Sequence, residues 1–458
     1  MIRMKESIFA VAVMLAIWSA IALPAGMTPA QGLTFGVMVI TLSLWGTGLV
    51  PGYVASMFLF VALILGGLAP PQEVFASFSS SAIWLVVAGF VIGAAITHSG
   101  LGAQLGAVAR PHVSKSYGTL IVGLMLIGMV LGFVMPSSLG RAAVLVPVGM
   151  ALADALGLEK GSTGRTGVAV IIAIGTNMPS FAILPSNIPN VILAGLAEQS
   201  LNVQFSYTKY LLLHYPVLGL LKSAVIVALV LILFPARVRE IAQPTAPERA
   251  GAGRRQAVLL AILLVTLGLW STDQIHGINA AWIGLGTSLV LMIPQFGFVP
   301  PPVFKSAVDF SMLLFVAGAL SLGVVVNTSG LGEIIAGKVL TVLPFQQGND
   351  LLNFMSLSLL GAGTSIFTTV AGMPAVLTPL AQELAETTGF SLNAVLMTQV
   401  IGFSTVVFPY QVGPLIVAMG LAKESTRPLL KIMLSLFAIT VLVLLPIDFL
   451  WWKLLGTI

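Results

Sequence analysis

Met135-Pro136-Ser137-Ser138-Leu139-Gly140 joins two apolar arms within residues 117–157, and each arm is long enough to cross a bilayer alone. A joint of small residues and one proline suits a re-entrant hairpin whose tip stops at mid-membrane. Exposed backbone at that depth is tolerated only where it lines protein or a water-filled cavity. The same arrangement returns in residues 351–388, where Thr368-Thr369-Val370-Ala371-Gly372 forms the joint. The recurrence extends outward along the whole chain. Trp45-Gly46-Thr47 returns as Trp270-Ser271-Thr272, Ser99-Gly100-Leu101-Gly102 as Ser329-Gly330-Leu331-Gly332, and Ala143-Val144-Leu145-Val146-Pro147 as Ala375-Val376-Leu377-Thr378-Pro379. One unit of about half the chain is written twice, and paired repeats of this kind are a mark of secondary transporters.

Composition fixes the solvent. The chain has 458 residues, 58% of them hydrophobic and 8% charged. A soluble domain carries about 25% charged residues, so these segments face lipid. The sequence holds no cysteine, which excludes disulfides and thiolate metal sites. The net charge of +5 is spread over loops without a groove-sized stripe, so nucleic acid is not a partner.

Hydropathy places helices near 7–24, 31–49, 53–70, 81–98, 166–184, 210–235, 256–272, 278–295, 308–327, 391–408 and 428–450. The organisation is an N-terminal transmembrane helix (1–30), a first repeat (31–236) with hairpin 117–157 and broken helix 166–199, a linker (237–255), and a second repeat (256–458) with hairpin 351–388 and broken helix 391–422. The first helix is read as retained; a cleaved signal peptide ending near Leu23-Pro24-Ala25-Gly26 is the alternative.

Charge orients the chain. With the N-terminus in the cytoplasm, Arg3, Lys5, Arg110, Lys115, Lys160, Arg165, Arg237, Arg239, Arg249, Arg254, Arg255, Lys305, Lys423 and Arg427 all fall inside. Lys209, Lys338 and Lys453 fall outside. Each repeat then crosses five times, which inverts the second relative to the first and leaves the C-terminus external. The fold class is an all-α polytopic membrane protein of about 11 transmembrane helices: two inverted five-helix repeats with re-entrant hairpins plus an extra N-terminal helix.

Both repeats carry a second interruption. Met178-Pro179 and Pro185-Ser186-Asn187-Ile188-Pro189-Asn190 break one segment, and Pro409-Tyr410-Gln411-Val412-Gly413-Pro414 breaks its counterpart. Half-helix N-termini present free amides and a positive dipole to an anion, and unwound carbonyls suit a cation. A small solute fits between two tips and two breaks. The bland alternative is a set of kinks that only shape packing.

Arg141 follows the first tip, beside Ser137 and Ser138. A guanidinium at membrane depth either forks onto a carboxylate, sulfonate or phosphate, or caps carbonyls of a neighbouring helix. Met373 stands at the equivalent place. Asp154 and Glu386 read as surface or gate residues, and His98 as interfacial. His214 and Lys222 share a helix face, which favours pairing over proton carriage. Lys305 and Asp309 suit a local ion pair, and Trp451-Trp452-Lys453 an interfacial anchor.

At these residues the chain resembles the divalent anion/sodium symporter family (the solute carrier 13 type), over nearly its whole length. The resemblance implies an elevator-type homodimer in a bacterial-type inner membrane, carrying dicarboxylate, citrate, sulfate or a related small anion, usually with sodium. The family signature is Ser-Asn-Thr at each tip, ten residues before a proline. Here those places read Ser137-Ser138-Leu139 and Thr369-Val370-Ala371, so both Asn and both Thr are missing. The family's Thr-Pro-Pro-Asn appears as Asn187-Ile188-Pro189-Asn190 and, poorly, as Val412-Gly413-Pro414-Leu415.

By that resemblance Ser137, Ser138, Arg141, Asn187, Asn190, Thr368, Thr369, Gln411 and Pro414 bind substrate. Ser137, Gly140, Ser180 and Ser186 hold one sodium, and Thr369 and Gly372 a weaker second. The lost ligands point to an anion carrier with weakened or absent sodium coupling, with Arg141 as a tethered charge; no cofactor other than sodium is implied. The alternatives are the usual sodium-coupled dicarboxylate symporter and an arsenite or cation/proton antiporter-type permease. The latter wants a buried carboxylate, and none lies at the tips or breaks in the sequence. No catalytic motif is credible, so an enzyme is not expected.

Overall fold

The architecture follows from a computed structural model, which describes residues 2–102, 104, 115–236 and 253–458. Arg110 and linker residues 237–252 lie outside the described residues. Among those described, ten helices are long and apolar enough to cross a membrane, and three shorter apolar ones (Gly52–Leu65, Ala280–Met292 and Leu392–Ser404) join them.

After α1 (Ile2–Ala22), which stands outside the repeats, the first repeat runs through α2 (Pro29–Thr47), α3 (Gly52–Leu65), α4 (Ser81–Ser99), α5 (Tyr117–Val134), α6 (Ser138–Ala155), α7 (Thr163–Gly175), α8 (Ile188–Leu201), α9 (Tyr207–His214) and α10 (Lys222–Leu233). The second runs through α11 (Arg254–Ser271), α12 (Ala280–Met292), α13 (Phe310–Thr328), α14 (Leu331–Val342), α15 (Asp350–Leu377), α16 (Ala381–Thr388), α17 (Leu392–Ser404), α18 (Gly413–Leu421), α19 (Arg427–Ile439) and α20 (Leu445–Leu454).

The duplication is visible in single contacts. Trp45 Nε1 donates to the Gly52 carbonyl and Trp270 Nε1 to the Ala280 carbonyl, both at 3.0 Å, each tying a tryptophan to the start of the next helix. Gly128 and Gly175 let α5 approach α7: a Cβ at Gly128 would lie 2.7 Å from the Gly175 carbonyl oxygen. Gly361 and Gly402 do the same for α15 and α17, where a Cβ at Gly402 would lie 2.7 Å from the Gly361 Cα. Small residues at such crossings let backbones pack closely without a hydrophobic driving force. A π-helical segment also recurs, at Tyr215–Leu221 between α9 and α10 and at Thr440–Leu444 between α19 and α20.

Buried apolar side chains form two clusters. One gathers α2, α3, parts of α4 and α8, and α13. The other gathers both hairpins, both broken helices and the helices carrying the π segments. The two tips sit on the second cluster and face the first.

Several sequence expectations shift. The segment 166–184 is not one helix: α7 stops at Gly175, and two short 3-10 turns (Met178–Ala182 and Leu184–Ser186) follow it. The helices expected to reach 70 and 408 end at Leu65 and Ser404. Lys305 and Asp309 do not pair. Asp309 instead caps α13, its Oδ1 accepting from the Met312 amide at 3.1 Å, because the orphan amides of a helix start compete for the carboxylate. Asp154 stays at the surface, its side chain 63% exposed, and pairs from there with the buried Arg165, which also faces Glu424 at 3.6 Å.

Candidate functional site

The first hairpin turns through extended Met135 and Pro136 into Ser137, which caps α6 by accepting the Gly140 amide at 3.1 Å. The second turns at Thr369, a β-branched residue at φ 64°, ψ 167°. That backbone conformation costs a non-glycine residue of order 1–3 kcal/mol and is characteristic of functional sites. Between the tips lie the breaks: residues 176–187 between α7 and α8, and residues 405–412 between α17 and α18.

A cavity of about 420 Å³ opens where these four elements meet. Pro136–Leu139, Thr369–Ala371, Asn187–Pro189 and Tyr410–Pro414 supply one wall. Trp45, Tyr53, Phe90 and Phe315 supply the other, and among the described residues Asp309 is the one charged residue lining it. Helices α6, α8 and α18 all begin on this cavity. The first amides of a helix lack intrahelical partners and carry about half a positive charge collectively, so the wall favours an anion without a lining cation. The aromatic wall suits the apolar body of an organic ligand.

Arg141 stands behind this wall and is 0% exposed. Its Nε donates to the Thr176 carbonyl at 2.8 Å, and its Nη2 to Ser138 Oγ at 2.9 Å and the Ser186 carbonyl at 3.2 Å. Its Nη1 donates to the Met135 carbonyl. The guanidinium therefore draws together the first tip, the end of α7 and the start of α8. The three carbonyls it holds are oxygens of the kind a sodium ion requires. Around the first break, then, a fixed side-chain cation already occupies these three carbonyls.

The other polar candidates divide. Ser137, Ser138, Asn187, Thr369, Gln411 and Pro414 line the cavity; Arg141, Asn190, Thr368, Ser180, Ser186, Gly140 and Gly372 do not. Asn190 Nδ2 donates to the carbonyls of Ser180, Phe181 and Ile183, pinning the first break. Gln411 pins the second, its Oε1 accepting the Val407 amide at 2.9 Å and the Phe408 amide at 2.6 Å while its Nε2 donates to Ser365 Oγ at 2.7 Å. Thr368 Oγ1 donates back to the Thr364 carbonyl, Ser180 Oγ to the Asn177 carbonyl, and Ser186 Oγ to the Gly132 carbonyl. Gly140 lies on a second cavity of about 390 Å³, which Ser137 and His98 share.

Sequence reasoning passed over three features. Tyr410, whose hydroxyl donates to the Ile366 carbonyl at 2.7 Å, ties the second break to the second hairpin. Asn177 is buried in the first break with both side-chain polar atoms unpartnered. Asp448 lies fully buried in α20. An acid inside an apolar span was the available signal for the last.

Paired inverted repeats, two tips and two breaks around one cavity define the class: a secondary transporter of small solutes, not an enzyme. The chain belongs to the family described as the sodium:sulfate symporter transmembrane region, which matches residues 2–458. A membrane protein of Cupriavidus necator is 24% identical over 98% of this chain and 92% of its own length. An L-tartrate/succinate antiporter of Shigella dysenteriae is 23% identical over 82% of this chain and 79% of its own length. A sodium-dependent dicarboxylate transporter of Staphylococcus saprophyticus is 22% identical over 65% of this chain and 64% of its own. The solved structure of the YdaH transporter of Alcanivorax borkumensis matches with a TM-score of 0.58 and 16% identity, covering 93% of this chain and 99% of that one. The likeness to that structure concerns the fold alone.

Proposed function

We propose that this protein moves a small organic dianion of the dicarboxylate class across the inner membrane without sodium at its first break. The observation that carries this reading is the Arg141 guanidinium, fully buried and bonded to the carbonyls of Met135, Thr176 and Ser186. A fixed cation there does what a coupling ion does elsewhere. It neutralises the helix-end carbonyls and sets a positive charge one layer behind the anion's wall. Relatives named as tartrate/succinate and citrate/succinate antiporters support exchange of one anion for another.

The carrier works as an elevator. The body built on the hairpins and broken helices slides past the one built on α2, α3 and α13, and a homodimer anchors the latter. The cavity lies beside the ends of α2 and α13 that bear Trp45 and Asp309, which the charge bias assigns to the cytoplasm. The conformation is therefore inward-facing, with the N-terminus inside and the C-terminus external.

The test is thermal stabilisation of the purified protein by succinate, tartrate, citrate and sulfate, each in sodium and in choline, with Arg141→Ala alongside. Bound ligand raises stability by mass action. A dicarboxylate shift that persists in choline and is lost in Arg141→Ala is expected. A shift that requires sodium and survives the substitution overturns the reading and favours a sodium-coupled symporter.

A further inference from the structure

The second repeat holds a buried ionisable pair that the cavity does not use. Asp448 in α20 is the most deeply buried carboxylate among the described residues, at 0% exposure, and neither of its oxygens has a hydrogen-bond partner. Lys222, at the start of α10 and 1% exposed, is close enough to interact with its charge without forming a direct ion pair. The two stand 226 residues apart, close to the spacing that relates the repeats. Lys222 directly follows the first π-helical segment and Asp448 lies four residues past the end of the second, and π segments inside helices concentrate at functional sites.

The Lys222 ammonium reaches further. Its Nζ donates to the Ser404 carbonyl at 2.7 Å. Ser404 is the last residue of α17, so this bond ends on the negative pole of the half-helix that enters the second break. The pocket around the pair is poorly satisfied. Trp452 Nε1, directed at Asp448 outside full hydrogen-bonding geometry, has no partner, and neither do His214 Nδ1 and Thr440 Oγ1. Buried polar atoms without partners call for an explanation, because each costs about 1–3 kcal/mol. A buried acid that gains and loses a proton supplies one.

We propose that Asp448 and Lys222 form a proton-binding site that couples proton transfer to the second broken helix. This rests on the carrier reading above and names its coupling ion. With Asp448 ionised, the carboxylate attracts the ammonium from beyond ion-pair distance while Nζ stays on the Ser404 carbonyl. A proton arriving from water on one side neutralises Asp448 as an O–H donor. The ammonium is then left to the Ser404 carbonyl and the α17 dipole alone, which draws α17 and the break after it toward α10. Release of the proton to the other side restores the pair.

The neighbouring charges leave this role to the pair. His214 faces Trp452 at 5.8 Å and Tyr215 belongs to the adjoining π segment. Arg165 on α7 is held by Asp154 and Glu424, and Asp350 on α15 by Lys453. Lys431 on α19 is exposed, and Tyr117 on α5 packs at Gly167. A permanently ionised structural pair is the competing role.

The experiment uses the purified full-length chain. Infrared difference spectra are taken from about pH 5 to about pH 8, the span in which buried switches act. A protonated-carboxyl band that grows on acidification and is absent in Asp448→Asn is expected. Amide hydrogen exchange at 404–412 should vary with pH in the wild type and not in Asp448→Asn. Should that variant fail to fold, Asp448→Glu replaces it and should shift the midpoint of both signals.

In proteoliposomes, an acid gradient should accelerate succinate uptake about tenfold, equivalent to about 1.4 kcal/mol. Asp448→Asn should lose that acceleration while still exchanging succinate for succinate. A carboxyl that never titrates, or gradient-driven uptake that survives Asp448→Asn, overturns the proton site. Absence of succinate exchange in the wild type, with the titrating band present, overturns the dicarboxylate reading and leaves the proton site standing.

Discussion

The two repeats place a buried basic side chain on a half-helix end, but from different directions. In the first, Arg141 comes from the hairpin itself and binds the end of α7 through the Thr176 carbonyl. In the second, Met373 takes the arginine's place in the hairpin, and Lys222 reaches across from the first repeat to the end of α17. The first break is thereby locked to its own tip by a fork that keeps its charge near neutrality. The second is held by a single-headed cation whose charge a buried, unpaired carboxylate attracts. Duplication preserved the electrostatic requirement, a positive charge on each helix end, and left its source free to diverge. One site became rigid and the other adjustable.

The comparison breaks first at Arg141. Arg141→Ala strands three buried carbonyls, each worth about 1–3 kcal/mol when left unsatisfied. Transport should fall by more than about a hundredfold, with a gain in sodium-dependent thermal stability as the freed carbonyls admit an ion. Uptake and melting curves in sodium and in choline check both. Lys222→Met leaves Asp448 buried without its cation, which costs about 3–5 kcal/mol. Denaturation should show that loss, and Lys222→Met combined with Asp448→Asn should recover most of it.

The glycine crossings sharpen the symmetry. Gly128→Ala and Gly402→Ala both push a Cβ to 2.7 Å from opposing backbone, so each should cost about 1–3 kcal/mol, similar in the two repeats. Gly46→Ala tests a contact between the two bodies instead, because its Cβ would meet the Phe367 carbonyl at 2.2 Å. It should slow transport by shifting the conformational equilibrium while leaving the melting temperature nearly unchanged. The smallest effect is expected at Thr369→Gly, which relieves a positive φ and should stabilise by about 1 kcal/mol in a thermal melt.

Much of this was legible in the sequence because lipid enforces it. Apolar runs, prolines at the breaks and small residues at the tips are demands of backbone hydrogen bonding in a medium without water. Tip residues Ser137 and Thr369 and break residues Asn187 and Gln411 line the cavity. What side chains do at depth was less legible. Asn190 read as a ligand, yet it spends its amide on three carbonyls of its own loop. Lys305 and Asp309 have helical spacing, but Asp309 sits at a helix start where amides claim it. Asp448 was missed because its partner lies half a chain away, and local pattern carries no such distance.

The central claim is that a tethered guanidinium stands where a coupling sodium would bind. It is tested most directly by succinate uptake into proteoliposomes of the wild type with all sodium replaced by choline. Retention of uptake at the sodium rate is the result this account predicts. Collapse of uptake in choline, restored by sodium, would contradict it.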